Sequence, residues 1–279
     1  MNVGVGAGST KITALQARYG ADALPAAGPW NDTLALLLSH RSVRAYRTDP
    51  LPAGTLETLI AAAQSAATSS NLQTWSVVTV TDPAKKKILA EIANNQKHIE
   101  QCPLFLVFLA DVSRLDRLAT AKGMTFEGLP FVETFLVAAI DAALAAQNAV
   151  IAAESLGLST VYIGAMRNDV ERVAQILELP KGAAGVFGLC VGYADPSTAA
   201  EVKPRLQQDA ILFTDRYAVP DEAAQRTAYD GKLATFSKRN EMVHHSWTER
   251  VISRIAKTKS LNGRDRLRAA LAAIGFPLN

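Results

Sequence analysis

The sequence predicts a β-sheet sandwiched between layers of helices. Short runs rich in Val, Leu and Ile have the length of strands, and they alternate with longer stretches whose apolar residues recur at helical spacing. The strands are too few and too irregularly spaced for an eight-stranded barrel. With 279 residues, 49% of them hydrophobic and 20% charged, the chain can bury a substantial core, and its composition excludes a disordered protein.

Polar and proline-containing segments separate the elements of the first half of the chain. Asn31 or Asp32 can cap the first helix, and Asp82 followed by Pro83 marks the start of another. Three lysines on that later helix, Lys85 to Lys87, are predicted to form a solvated face. Residues 111–134 are predicted to be irregular. The expected elements are a helix leading into His40, a helix around Leu56–Ala63, a polar loop at Thr68–Gln73, a strand at Trp75–Thr81, a helix through Ile92 and a strand at Leu104–Ala110.

The longest predicted helix lies at about Phe135–Leu156 and ends at Gly157. It is rich in alanine and apolar nearly all round, so we expect it to be buried centrally, and its small residues allow close helix–helix contact. Polar residues interrupt it at Asp141, Gln147, Asn148 and Glu154, so it is not predicted to span a membrane. The remaining elements are expected at Ser159–Ala165 (strand), Asn168–Pro180 (helix), Gly185–Tyr193 (strand), and Asp221–Lys238, Ser246–Lys257 and Arg264–Ile274 (helices).

Residues 1–30 are predicted to be a flexible N-terminal extension, because they are rich in Gly, Ala and Thr and end near the pair Gly28-Pro29. Residues 31–279 are predicted to form one domain. The glycines at positions 4, 6 and 8 do not form a dinucleotide fingerprint, since no strand precedes them. The chain also lacks the basic start and leucine-rich stretch of a secretory signal, which favours a cytoplasmic protein.

Charge and cysteine content narrow the class of protein further. The net charge is only +3, and no basic stripe interleaved with aromatic residues is present, so a nucleic-acid partner is not expected. Cys102 and Cys190 each lie beside an apolar run, which predicts two buried free thiols in a reducing compartment. The four histidines have no ligand-like spacing, so no metal site is expected.

Candidate binding residues cluster at the ends of predicted elements. The segment His40–Arg44 contains two arginines, whose planar guanidiniums suit phosphate and carbonyl acceptors, although a helix C-terminus also favours such cations. Thr68–Ser70 offers three hydroxyls, which turn propensity explains equally well. Lys203 and Arg205 flank a proline, and Gly164 lets a ligand approach the backbone at a strand end. No phosphate-binding loop, nucleophile elbow or zinc-protease motif is present.

In order and spacing, these clusters resemble the oxygen-insensitive NAD(P)H nitroreductases, specifically the type A branch that includes the NADPH-flavin oxidoreductases. The resemblance covers about residues 32–279. It implies an α+β fold with a mainly antiparallel central sheet flanked by helices, in an intertwined homodimer with one FMN at each of two interface sites. The motifs that carry it are His40–Arg44, Thr68–Gln73, Asn95–His98, Ala146–Gly157, Val161–Gly164, Phe187–Gly192 and Lys203–Leu206.

The resemblance implies which residues bind FMN. The implied contacts are His40, Arg41, Ser42 and Arg44 with the phosphate, ribityl chain and pyrimidine edge, Thr68, Ser69 and Ser70 near the ring, Gln96 with the pyrimidine end, Tyr162, Ile163, Gly164 and Ala165 through a backbone near flavin N5, and Lys203 and Arg205 chiefly with the phosphate. No side chain is expected to be catalytic, because flavin N5 is the reactive atom. Asn71, Lys238, Arg239 and Arg264 are implied contacts for NAD(P)H or substrate.

The implied activity is that of an FMN-dependent NAD(P)H oxidoreductase with a ping-pong cycle. NADPH or NADH gives hydride to flavin N5, and a nitroaromatic, quinone or other planar acceptor then takes two electrons. Glu241 and Val243 lie where the branch grips the NADPH 2′-phosphate, so both donors stay open. One alternative is a dedicated flavin or metal-ion reductase acting on chromate or ferric iron. Another is a flavin-binding protein without turnover.

Overall fold

The structure is a computed structural model that describes residues 11–22, 24–26, 28–219 and 221–279. The described residues form two compact units. Unit 1 comprises the described residues of Met1–Arg41 and Pro196–Ser260, and unit 2 comprises Ser42–Asp195 and Leu261–Asn279.

Helices and strands alternate through the described residues. The helices are α1 (Lys11–Tyr19), α2 (Asp32–Ser39), α3 (Thr55–Gln64), α4 (Pro83–Ile92), α5 (His98–Gln101), α6 (Ser113–Ala121), α7 (Val132–Ser155), α8 (Val170–Ile176), α9 (Glu222–Arg239), α10 (Trp247–Ile255) and α11 (Leu267–Ala273). The strands are β1 (Trp75–Thr79), β2 (Leu104–Asp111), β3 (Ser159–Ile163) and β4 (Ala183–Gly192).

Unit 2 is built around an antiparallel sheet of order β1-β2-β4-β3. Every residue of β2 is buried, as its uninterrupted apolar sequence predicts for a central strand. Phe105 of β2 is paired with Cys190 of β4, and the register shifts between Phe108 and the next residue. At Gly188 a Cβ atom would lie 2.5 Å from the Phe105 ring, so the glycine makes room for that aromatic side chain. The α+β fold class with an antiparallel sheet is confirmed.

Helix α7 packs on the sheet through a row of fully buried alanines. With Leu59 and Ala63 of α3 and Phe108 of β2 they form an apolar core cluster of unit 2. The small side chains bring the helix close to its neighbours, where dispersion contacts are dense. By length and composition alone α7 could also cross a membrane, but the core helix of a soluble protein passes the same test.

Helices α1, α2, α9 and α10 belong to unit 1. Tyr229, Leu233 and Phe236 of α9 form its apolar core, against which Leu206 and Trp247 pack. Helix α10 begins with a capping box, in which the Ser246 side chain accepts a bond from the Glu249 amide and the Glu249 carboxylate accepts one from the Ser246 amide. Residues 11–19, which lie within the segment predicted to be a flexible extension, are helical. Residues 1–10 lie outside the described residues.

Four local expectations are wrong. Helix α7, expected to be buried centrally, leaves Leu136, Ile140 and Leu144 44–56% exposed. The segment 111–134, expected to be irregular, contains α6, whose first amide, that of Ser113, donates to Asp111 Oδ1 at 3.0 Å and so starts the helix. Helix α8 begins at Val170, later than the expected start at Asn168, because Asp169 caps it, with Oδ1 accepting from the Arg172 amide at 3.0 Å. Lys86, expected on a solvated face, is buried, and its Nζ donates to the Cys102 carbonyl oxygen at 2.6 Å.

The two cysteines are buried free thiols, as predicted. Cys102 precedes β2, and Cys190 lies within β4. Burial raises the pKa of the Cys190 thiol well above its usual range, so this group stays protonated and poorly nucleophilic near neutral pH.

Candidate active site

The predicted cofactor-binding residues fall in both units. In unit 2, the segment after Arg41 runs beside β3: the Val43 amide donates to the Thr160 carbonyl at 3.0 Å, and Ser42 forms a parallel bridge with Thr160. Tyr46 holds the same segment in place, because its buried hydroxyl donates to the Val43 carbonyl oxygen at 2.9 Å. Burial raises the Tyr46 pKa, which keeps this hydroxyl a donor. The backbone therefore fixes Ser42 and Arg44 next to β3, with both side chains exposed.

Arg44 also influences the segment that contains Gln96. Burial, together with the positive charge of Arg44, lowers the pKa of His98 to about 4, so the imidazole is neutral near pH 7. His98 Nε2 is buried and has no hydrogen-bond partner among the described residues. Gln96 lies two residues earlier, half-buried, after Asn94 and Asn95, which both have left-handed φ angles of about 60°. Their strained turn presents Gln96 at the start of α5.

The predicted hydroxyl loop is held in an unusual conformation. Ser70, Asn71 and Gln73 have φ angles of 49°, 53° and 52°, in the left-handed region that non-glycine residues seldom adopt. Ser69 and Ser70 are exposed, and the buried Thr68 Oγ1 has no hydrogen-bond partner within the described part of the chain. Backbone strain of this kind is concentrated at functional sites.

Asp141 of α7 holds that loop in place. Its carboxylate is 1% exposed and accepts hydrogen bonds from the Ser69 amide at 3.1 Å, the Thr74 amide at 3.2 Å and the Thr74 hydroxyl at 3.0 Å. A buried carboxylate needs such donors, because desolvation is otherwise costly. In the sequence, Asp141 stands out only as an interruption of an apolar helix, and nothing local reveals this positioning role.

The other polar residues of α7 follow the same pattern. Gln147 accepts a hydrogen bond from the Tyr162 hydroxyl at 3.3 Å, and Glu154 accepts one from the Thr160 hydroxyl at 3.1 Å. Asn148 donates to the Ala62 carbonyl of α3 at 3.2 Å. For the buried or half-buried Asp141, Asn148 and Glu154 a signal was present in the sequence, since buried polar groups are almost always hydrogen-bonded.

The end of β3 carries the predicted main-chain site. Tyr162 is 37% exposed and packs edge-on against Phe187, with 5.2 Å between ring centroids, and burial raises its pKa. Ile163 and Ala165 are buried, and Gly164 begins a 3₁₀ turn over Gly164–Asn168. Amides in the first turn of a helix have no partner within it, so they are available to an acceptor.

Unit 1 holds the remaining predicted cations. His40 caps the end of α2 and is half-buried, while Arg41 and Arg205 are exposed. Lys203 Nζ lies 5.8 Å from the centre of the Phe236 ring. Arg205 lines a cleft of about 500 Å³ whose walls include Tyr229. The Tyr229 hydroxyl donates to the carbonyl oxygen of Pro204 at 3.0 Å and so fixes the peptide between the two cations.

The residues predicted to contact NAD(P)H or substrate have mixed surroundings. Arg239 is paired with Glu201, with 2.7 Å between Nη2 and Oε2. Lys238 and Asn71 are exposed. In unit 2, Arg264 Nε donates to Asn168 Oδ1 at 2.8 Å, which gives this arginine a structural contact.

Comparison with known proteins identifies the family. The Nitroreductase family model matches residues 37–193, and the model of the Nitroreductase family, C-terminal domain, matches residues 203–279. The chain therefore belongs to the nitroreductase family, which confirms the resemblance found in its motifs.

Relatives and solved structures agree with this assignment. The chain is 38% identical over 228 residues to an FMN reductase (NADPH) of Bacillus subtilis, covering 80% of this chain and 91% of that protein. It is 38% identical over 204 residues to the oxygen-insensitive NADPH nitroreductase of Salmonella typhimurium, covering 73% and 82%. The structure of the NADPH:FMN oxidoreductase of Vibrio harveyi complexed with NAD⁺ matches with a TM-score of 0.79 at 32% identity, over 89% of this chain and 100% of that one.

Proposed function

We propose that this protein is an FMN-dependent NAD(P)H oxidoreductase that reduces nitroaromatics, quinones or other planar acceptors by two electrons. FMN, when bound, supplies the redox chemistry, with hydride from NADPH or NADH entering at N5 and two electrons leaving to the acceptor. Family membership supports the proposal, as do relatives named as an FMN reductase and a nitroreductase. The protein supplies binding and orientation and needs no nucleophilic side chain.

The observation that carries the proposal is the loop at Thr68–Ser70. Its strained backbone is fixed by Asp141. Two of its hydroxyls are exposed, and the Thr68 hydroxyl is buried without a hydrogen-bond partner in the described residues. A flat ring with several heteroatoms offers such hydroxyls their missing partners. The residues present therefore fit a flavin.

Each remaining group has a role in this proposal. Arg44 would favour negative charge at the pyrimidine edge, and Gln96 would bond to the same end of the ring. The main chain at Gly164 would present an amide to N5. Contacts with the phosphate and ribityl chain would come from His40, Arg41, Ser42, Lys203 and Arg205.

We propose a homodimer as the assembly in which the protein acts. One face of α7 carries Val132, Leu136, Ile140 and Leu144, which are four residues apart and 44–56% exposed. Such an apolar ridge is typical of a surface that another protein covers. Ile140→Lys is expected to lower the dimer fraction measured by light scattering, whereas Ile255→Lys, at an exposed isoleucine of α10, is expected to leave it unchanged.

A cytoplasmic location fits the same reading. Cys102 and Cys190 are both buried free cysteines, as suits a reducing compartment. The proposed partners are small molecules and a second copy of this chain, and neither nucleic acid nor a membrane is part of the proposal.

The acceptor separates this proposal from the closest alternative. A dedicated flavin reductase is favoured by the relative named FMN reductase (NADPH). Comparing kcat/KM for free FMN, a quinone, chromate and nitrofurazone distinguishes the two activities, because a dedicated reductase strongly prefers one acceptor.

An anaerobic titration tests the proposal directly. Purified protein reconstituted with FMN should show flavin absorbance that bleaches on addition of NADPH or NADH. Protein that binds no FMN would refute the proposal, and FMN that does not bleach would support a binding protein without turnover.

Thr68→Val tests the loop separately. Loss of an unpartnered buried hydroxyl should leave the stability of the flavin-free protein equal or higher, while FMN affinity falls by about fivefold. Thr58→Val, at an exposed position of α3, serves as the control. Unchanged affinity in Thr68→Val would remove this hydroxyl from the site.

A further inference from the structure

Helix α1 is firmly attached to unit 1 through one buried arginine. Arg18 lies in its last turn and is 7% exposed. A guanidinium so far removed from water must be compensated by hydrogen bonds. Helix α1 lies outside residues 37–193 and 203–279, which the family models match.

The Arg18 guanidinium reaches two separate segments of the chain. Nη2 donates to the His40 carbonyl at 2.6 Å and Nε to the Leu38 carbonyl at 3.1 Å, while Nη1 donates to the Lys203 carbonyl at 2.9 Å. The planar fork of an arginine suits such divergent acceptors in a way that a lysine ammonium does not. Within unit 1, this one side chain links the main chain at His40 to the main chain at Lys203.

Other residues of unit 1 donate hydrogen bonds to the carbonyl groups at the end of α1. The Arg205 amide donates to the Arg18 carbonyl at 2.8 Å, and Gln207 Nε2 donates to the Tyr19 carbonyl at 3.0 Å. Lys232 Nζ of α9 also donates to the Tyr19 carbonyl, at 2.6 Å. The end of α1 therefore both donates hydrogen bonds to the segment that carries Lys203 and Arg205 and accepts hydrogen bonds from it.

We infer that Arg18 is a positioning residue for phosphate recognition, which holds the backbones that carry the cations of unit 1. The inference rests on the proposed function, because those cations are the implied partners of the FMN phosphate. Fixing both backbones in advance removes conformational entropy that binding would otherwise cost. The cations keep their charge without Arg18, but they lose their common geometry.

A comparison of FMN with riboflavin tests the inference, because riboflavin lacks the phosphate. The dissociation constants of both flavins are measured by fluorescence titration of flavin-free protein. Arg18→Ala is expected to reduce the ratio of FMN to riboflavin affinity by about tenfold, whereas a role in folding alone would weaken both flavins equally. Alanine preserves the helix, since its helix propensity is at least that of arginine.

Arg18→Lys and a neighbouring control keep the test decisive. Lysine retains the charge but cannot reach all three carbonyls, so an intermediate ratio is expected, and this variant replaces Arg18→Ala if the latter fails to fold. Gln16→Ala removes an exposed side chain from the same helix and should leave the ratio unchanged. An unchanged ratio in the Arg18 variants would overturn the inference, while wild-type protein that binds neither flavin would refute the proposed function itself.

Discussion

The two units hold their predicted site segments in opposite ways. In unit 2 the loop at Thr68–Thr74 is held by the buried carboxylate of Asp141, which accepts three hydrogen bonds from it. In unit 1 the backbone at His40 and Lys203 is gripped by a buried cation, Arg18. The Arg205 side chain itself is exposed. Stability and ligand binding should therefore change together in unit 2 and separately at the exposed cations of unit 1.

The largest effect is expected for Asp141→Ala. It leaves buried amide and hydroxyl donors unpaired, which should lower the free energy of unfolding by about 3 to 5 kcal/mol and weaken FMN binding strongly. Urea denaturation and flavin titration measure the two effects. Glu133→Ala, at an exposed carboxylate of α7, should change neither by much. Lost stability with unchanged FMN affinity would break the coupling claimed for unit 2.

His98 is expected to make stability depend on pH. Its pKa falls from 6.5 to about 4 on folding, so below pH 6.5 the unfolded chain binds a proton that the folded chain does not. The free energy of unfolding is therefore not reduced by His98 above about pH 6.5. It falls by ~3 kcal/mol in total as the pH drops from about 6.5 toward 4.

Urea denaturation of His98→Gln at several pH values checks this expectation. The variant should lose stability less steeply than the wild type between about pH 6.5 and pH 4. His245→Gln, at an exposed histidine, should follow the wild type. Parallel pH profiles for His98→Gln and wild type would show that the imidazole does not titrate in this way.

Arg205→Ala should separate binding from stability in unit 1. Loss of a charge-assisted bond to the phosphate is expected to weaken FMN binding by about 1.5 to 3 kcal/mol, with Tm nearly unchanged. Arg226→Ala removes an exposed arginine of α9 as a control. A large drop in Tm would mean that Arg205 supports the fold, contrary to the comparison.

The smallest effect is expected for Glu201→Gln. Neutralising this carboxylate releases Arg239, which lies 2.7 Å away, for the 2′-phosphate of NADPH. The ratio of kcat/KM for NADPH to that for NADH should rise by about threefold, with little change in stability, because the pair is on the surface. Asp209→Asn, at another exposed acid of unit 1, should leave the ratio unchanged.

Sequence reasoning succeeded where one local signal dominates. The uninterrupted apolar run of Leu104–Ala110 predicted a buried strand within one residue of its observed end at Asp111. Asp82, followed by proline, caps α4 as expected, with its carboxylate accepting from the Ala84 amide at 2.8 Å. Family motifs predicted the family as well as the antiparallel sheet.

It failed where a role depends on partners distant in the chain. Asp141 lies 67 residues from Thr74, and Arg18 lies 185 residues from Lys203, so no local pattern reveals either bond. Both side chains looked incidental, one inside an apolar helix and the other in a glycine-rich terminal segment. The FMN contacts themselves stay predictions that the flavin titrations test.

The polar residues of α7 have one more consequence. Asp141, Gln147 and Glu154 are fixed on a single rigid rod, and they touch the hydroxyl loop and both ends of β3. A small molecule that binds only to the hydroxyl loop should thus also slow amide hydrogen exchange near Tyr162. Helix α7 would thus couple the mobility of the hydroxyl loop to that of β3 within unit 2.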